Sequence, residues 1–341
     1  MKKLVAMALI LSLVFSLCAC GKTSDETNDV GKEPAVEEVA EETPVNEFYK
    51  KITSSKSRPV AIMIDNDSYL SRPQWGIENA FVIYEAMVEG ASTRMMALFL
   101  DSDVKKVGPV RSSRHYFLDY ALENDAIYAH CGFSPQASND IKALGVNNIN
   151  ELYANNGKNF FRDGSDGKKA PHNLYASIPE LIETAKKKDY ELETKNKRVF
   201  SYKENDADLE SDLAASEVSL PYIHGYTVSY KYNEETKLYD RYINSKEHTS
   251  LSSKEALKAK NIIVYKVKNY SIDDIGRQNL ENIGSGEGYY ISNGKCIDIT
   301  WTKTSRKGQT QYKTKDGNEL LINPGNTFVQ IMPMTSEITI K

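Results

Sequence analysis

The chain has 341 residues, 40% hydrophobic, 26% charged and 10% aromatic, with a formal net charge of −4. These values describe a folded globular chain and exclude collagen-like, low-complexity and multi-span membrane classes. The lack of a basic excess argues against a nucleic-acid partner, and four cysteines without paired spacing argue against a disulfide scaffold or a zinc site. No metal and no cofactor is expected.

Lys2 and Lys3 precede an apolar run, Leu4 to Leu17, that reads as a signal-peptide core and is too short for a comfortable transmembrane span. It ends in Leu17-Cys18-Ala19-Cys20-Gly21, which resembles a bacterial lipobox. The resemblance implies removal of residues 1–19, a diacylglycerol thioether on Cys20 and an extracytoplasmic chain anchored to the bacterial cell membrane. Two or three acyl chains suffice for that, at about 0.8 kcal/mol per buried methylene. Residues 20–56 carry nine acidic side chains against five lysines, with Pro34 and Pro44 and no apolar periodicity. Such a segment does not offset its ordering entropy and reads as an acidic disordered tether.

From 57 to 202 strand-like and helix-like segments alternate. Val60–Ile64 is a short apolar run suited to a buried strand. Phe81–Val88 and Met95–Leu100, joined through Gly90-Ala91-Ser92, predict a hairpin. The first also fits a helix with Phe81, Tyr84 and Val88 on one face, but its aromatic and β-branched content favours strand. A helix follows over His115–Glu123, a strand over Ala126–His130, and a helix over Pro135–Leu144 that Gly145 stops. Ser177-Ile178-Pro179-Glu180 forms a capping box opening an amphipathic helix that ends on Lys186, Lys187 and Lys188.

Residues 203–218, dense in Asp and Glu, read as a linker, and from 219 the texture becomes tyrosine-rich alternation. Tyr226, Val228, Tyr230 and Tyr232 sit two apart, and Leu238–Tyr242 answers them across a polar turn. Ile262–Val267, Gly288–Ser292 and Cys296–Trp301 are further strands, the last two joined by Asn293-Gly294. Asp316-Gly317 is expected to join Gln311–Thr314 with Glu319–Ile322, and Thr327–Met332 closes the chain. The fold class is therefore an α/β (α+β) N-terminal domain, 57–202, with a smaller, mainly antiparallel β domain at 219–341.

Several motifs combine at this point. They are Arg58-Pro59-Val60-Ala61-Ile62-Met63-Ile64-Asp65-Asn66, Arg72-Pro73-Gln74, Tyr84-Glu85, Val88-Glu89-Gly90, Thr93-Arg94, Gly108-Pro109-Val110-Arg111-Ser112-Ser113-Arg114, Lys169-Ala170-Pro171-His172-Asn173-Leu174-Tyr175 and Asn323-Pro324-Gly325. Together and in this order they resemble the YerB-like bacterial lipoprotein family. The resemblance implies the same two-part plan and supplies no reaction, since the family's function is unknown.

The residues themselves suggest arginine chemistry. Arg72, Arg94, Arg111 and Arg114 lie in or beside segments bounded by Pro and Gly, where loops carry side chains to a ligand. The 108–114 turn runs into a helix start, so guanidinium forks and free amides together form a candidate seat for phosphate, sulfate or carboxylate. In the competing reading these arginines pair internally with Asp65, Glu85 and Glu89. His130 and His172, with the same carboxylates, are acid/base candidates for a cell-envelope hydrolase or transferase. There is no G-x-S-x-G elbow, and Cys131 reads as a buried, inert thiol. With no nucleophile or metal motif complete, a non-catalytic protein that binds an anionic small molecule, a cell-wall component or an envelope protein is favoured over an enzyme.

Overall fold

The computed structural model describes residues 44–341, which form one compact unit. The expected signal peptide, Cys20 and the tether up to residue 43 lie outside the described residues. The first element moves the tether's far boundary. Residues expected to belong to it form helix α1 (Glu47–Ser54), started by Asn46, whose side chain accepts from the Phe48 and Tyr49 amides. Ile52 is buried in the core, with Phe48 and Tyr49 packed against it. Their i, i+3, i+4 spacing gives α1 an apolar face that the acidic average of the segment conceals.

Ten strands form the central sheet. In chain order they include β1 (Val60–Asn66), β2 (Val82–Val88), β3 (Ser92–Phe99), β4 (Ile127–His130) and β5 (Asn148–Asn150). Three more strands, β6 (Glu217–Ile223), β7 (Tyr226–Asn233) and β8 (Leu238–Ile243), form the middle of a second, six-stranded sheet. The central sheet then resumes with β9 (Asn261–Val267), β10 (Gly284–Ser292), β11 (Lys295–Lys303), β12 (Gln311–Thr314) and β13 (Thr327–Pro333). Its spatial order is β12-β11-β10-β9-β13-β2-β3-β1-β4-β5.

The two composition regimes thus share one sheet. β13 lies between β9 and β2 and runs parallel to both, so the last strand of the central sheet departs from the antiparallel pattern expected of the C-terminal part. The expected pairing of Gln311–Thr314 with Glu319–Ile322 is likewise reduced to a single bridge, Lys313 to Glu319. Leu321–Ile322 pairs instead with Ser201–Tyr202, in parallel. The acidic segment expected as a linker lies along the body: Leu209 is buried, and Asp206 pairs with Lys260 at 2.8 Å.

One core lies on each face of the central sheet. On one face Ile62, Ile64, Ala97 and Phe328 meet Tyr226, Tyr230 and Tyr239 of the second sheet and Ile178 and Leu181 of α4 (Ile178–Lys187). On the other, Met63, Tyr84 and Leu98 meet Phe117, Leu118 and Tyr120 of α2 (Phe117–Glu123). Helix α3 (Pro135–Leu144) has the expected ends: Ser134 caps the Ala137 amide, and Gly145 stops it at φ 65°. Ser177 precedes α4 as expected but makes no capping bond, and Pro179 lacks one of the two amides the Ser177 hydroxyl could serve.

Ile52→Ala is expected to cost about 2–5 kcal/mol, the range for truncating a buried isoleucine. The change would appear as a lower denaturation midpoint at unchanged slope. A loss below about 0.5 kcal/mol would mean that α1 contributes nothing to the core.

Candidate functional site

Strands β1, β4 and β5 run parallel, and the loops at their carboxyl ends converge. β1 and β4 pair only over Val60–Ile62, and beyond that the segment Pro109–Arg111 takes β4's place beside β1. Asp65 donates its amide to Pro109 O at 2.8 Å, and Arg111 donates its own to Met63 O at 2.9 Å. A third segment is held there by Gly108, whose φ is 149° and where a Cβ would stand 2.8 Å from Leu174 O. That close approach, with the 2.7 Å bond from Val110 N to Leu174 O, carries the loop before Leu174 over the end of β1 and brings in His172.

The centre of the site is Asp65, whose side chain has no exposed surface. Its Oδ2 lies 2.8 Å from His172 Nδ1 and 3.4 Å from Arg111 Nε, and Oδ1 accepts the Asp67 amide. Arg94, opposite Asp65 in the β1–β3 register, is on its other side. Arg94 donates through Nη1 to Ser112 O at 2.7 Å and through Nη2 to Glu89 at 3.3 Å. Arg114 grips both oxygens of Glu89 and also donates to Ser113 O. Burial would raise the Glu89 carboxyl, but the bond from Arg114 and the charge on Arg94 outweigh it and hold it at about 2. Burial first, and then the charge of Arg114, push Arg94 down to about 10.

The expected arginines therefore separate by what they touch. Arg114 is committed to Glu89. Arg72 donates to Asn66 O at 2.7 Å, with its guanidinium carbon 5.7 Å from the centre of the Tyr226 ring. Arg111 makes no side-chain hydrogen bond to any described residue, although its Nε is buried, and the buried Nε of Arg94 is also without an acceptor. Three guanidinium groups here face two carboxylates, Asp65 and Glu89.

Helix amides contribute little to this seat. The chain turns tightly before α2, so Phe117, Leu118 and Asp119 already donate to the carbonyls of Arg114, His115 and Tyr116.

Two expected acid/base residues lie elsewhere. His130 is fully buried, with Nδ1 on Gly132 O and Nε2 on Asn148 Oδ1, and burial pushes it down to about 4. Glu85, on the opposite face of β2, is fully buried and accepts from Arg241, Gln330, Thr93, Tyr226 and Asn66. Arg241 in turn donates to His248 Nδ1, which leaves the His248 Nε2 proton for Gln74 Oε1. Sequence reading passed over Arg241, yet a signal was present: in β8 it takes the inward phase shared by Tyr239 and Ile243. Cys131 is half-buried beside Glu151, and burial followed by that neighbour raises its thiol to about 11, which suits an inert group.

Comparison with known proteins follows this geometry. A family model described as Protein of unknown function (DUF3048) N-terminal domain matches residues 21–191, and its C-terminal counterpart matches residues 218–329. The chain is 28% identical over 340 residues to "Putative lipoprotein YerB" of Bacillus subtilis (strain 168), covering 98% of this chain and 96% of that protein. It also matches the crystal structure of YerB from Bacillus subtilis with a TM-score of 0.73 at 27% identity, covering 83% of this chain and 94% of that one.

The buried histidine and the paired glutamate set the acid limb of stability. His130 has an ordinary value of 6.5 and a folded value of about 4, so the unfolded chain binds the extra proton between those limits and stability falls as pH drops through them. His248, also held low by burial, acts with the same sign. Glu89 has an ordinary value of 4.5 and a folded value of about 2, so its contribution is complete above 4.5 and is lost towards 2. Denaturation measured across pH should therefore show a shallower slope between about 6.5 and 4 for His130→Asn and between about 4.5 and 2 for Glu89→Gln. Unchanged slopes would mean that neither group's protonation is linked to folding.

Proposed function

Starting from the chain's membership of the DUF3048 family, we propose that it is a lipid-anchored extracytoplasmic protein that seats an anionic ligand between Arg111, Arg94 and His172. The observation that carries this reading is the state of Arg111. Its backbone is fixed beside β1 and its Nε is held 3.4 Å from Asp65, yet its guanidinium makes no hydrogen bond to any described residue. An arginine serving only the fold would be saturated, as Arg114 is by Glu89. The buried Nε of Arg94 is likewise without an acceptor, and buried donors without partners are costly to leave so.

The chemistry that fits is a planar or tetrahedral oxyanion, a carboxylate or phosphate, on a small molecule, a cell-wall component or an envelope protein. The lipobox-like Leu17-Cys18-Ala19-Cys20 and the name of the Bacillus relative support anchoring through Cys20.

Two experiments test the reading. Cys20→Ala should abolish metabolic labelling by a radioactive fatty acid, and equal labelling of parent and variant would remove the anchor. Titration calorimetry with inorganic phosphate should show binding to the parent and at least about tenfold weaker binding to Arg111→Gln, equivalent to about 1.4 kcal/mol. The unfolding free energy of that variant should stay within about 1 kcal/mol of the parent, because His172 at 2.8 Å is the closer partner of Asp65 and Arg111 only approaches it at 3.4 Å without a hydrogen bond. A large loss of stability with phosphate binding intact would make Arg111 structural.

A further inference from the structure

Resting on that anion-seat reading, we propose that the same site is a hydrolytic centre for carboxylic esters, with His172 Nε2 activating water and Arg111 stabilising the oxyanion. The imidazole is oriented as a general base requires. Its Nδ1 is 2.8 Å from the buried Asp65 Oδ2, so Nδ1 carries the proton and the lone pair sits on Nε2. Nε2 makes no hydrogen bond to a described residue and is not among the buried unpartnered atoms, so it opens outward. The guanidinium of Arg111 abuts the same Asp65 oxygen, which places base and oxyanion donor side by side.

The class of reaction follows from the count of proton carriers. In-line displacement at phosphorus puts the attacking and leaving oxygens on opposite sides and calls for a separate acid. Here Glu89 is committed to Arg114, Asp65 is buried and ionically paired, and the Cys131 thiol is held at about 11 by burial. One histidine remains, and at a tetrahedral acyl carbon one histidine can serve both steps.

As water attacks, an O–C bond forms, a water proton passes to Nε2 and the carbonyl π pair moves onto oxygen, facing Arg111. On collapse the C–O bond to the alcohol breaks, and the imidazolium returns its proton to the leaving oxygen. The carboxylic acid and the alcohol are released with His172 neutral, the acid then gives its remaining proton to solvent water, and nothing is oxidised or reduced. Asp65 keeps its bond to Nδ1 throughout as a positioning residue.

The purified full chain should hydrolyse p-nitrophenyl acetate, with inorganic phosphate as a competitive inhibitor. His172→Ala should lower kcat/KM by about 10²-fold or more, and added imidazole should restore part of the rate, which a purely structural histidine would not allow. His224→Ala, changing an exposed histidine outside the site, should match the parent. Asp65→Asn should lower kcat with KM changed less than about twofold, and Arg111→Lys, which keeps a charge there, should lose rate because it lacks the fork. Turnover that persists in His172→Ala overturns the proposal, as does a folded His172→Ala that imidazole does not rescue. A parent that binds phosphate without turning over ester also overturns it while leaving the anion seat standing. A parent that neither binds phosphate nor turns over ester removes both.

Discussion

The fully buried pair of Glu85 and Arg241, 2.9 Å apart between the two sheets, is the interaction on which the arrangement of the chain depends. Glu85 stands on β2 and Arg241 on β8, 156 residues apart in sequence. Neither charge is tolerable alone in that setting, and removing one partner of such a pair typically costs about 3–5 kcal/mol. The remaining capacity of each is taken up by Asn66, Thr93, Tyr226, Gln330, Tyr230 and His248, so second sheet and central sheet meet in one register. A slip by one residue in β8 would turn Arg241 to solvent and place Asp240 or Tyr242 over Glu85.

The same rule, applied one residue before Asn66 on β1, creates the site. Asp65 points to the opposite face from Asn66 and is equally buried, so it too must be compensated. Here compensation comes from groups near the surface, His172 and Arg111, and not from a second sheet. The difference matters chemically. Around Glu85 every buried polar side chain has a hydrogen-bond partner, whereas around Asp65 the imidazole and the guanidinium each keep a face that no described residue uses. Glu89 sharpens the contrast by drawing off Arg114 and one nitrogen of Arg94, which leaves Arg111 as the unspent charge.

Local elements were legible in the sequence because their signals are local. Val60–Ile64, the hairpin through Gly90, the Asn293-Gly294 turn and the Ser134-to-Gly145 helix all appear close to where pattern and capping place them. Helix α1 was hidden because Phe48, Tyr49 and Ile52 are diluted by acidic neighbours. The partnership of β13 with β2 was hidden because an apolar run such as Thr327–Met332 carries no record of which strands flank it. At the site, the residue types were readable and their pairing was not. Asp65 and His172 were both candidates, but 107 residues separate them, and only the Gly108 approach to Leu174 brings them together. His130 and His172 looked equivalent in sequence, and burial separates them: one ring is sealed against Gly132 and Asn148, the other opens beside Arg111.

This contrast also explains why a doubly basic turn is an imperfect guide to a binding surface. Arg111 and Arg114 sit three apart in an extended and turning segment, so they project to different surroundings. Arg114 meets Glu89 at the end of β2, where a carboxylate is fixed by the hairpin, and Arg94 arrives there from β3. Two guanidiniums on one carboxylate leave a local positive excess that burial makes costly, and the lowered value of Arg94 records that cost. An oxyanion beside Arg111 and Arg94 reduces that excess directly. Ligand binding and relief of a buried charge imbalance are thus the same event, which gives the fold a physical reason to leave the guanidinium of Arg111 without a hydrogen-bond acceptor among the described residues.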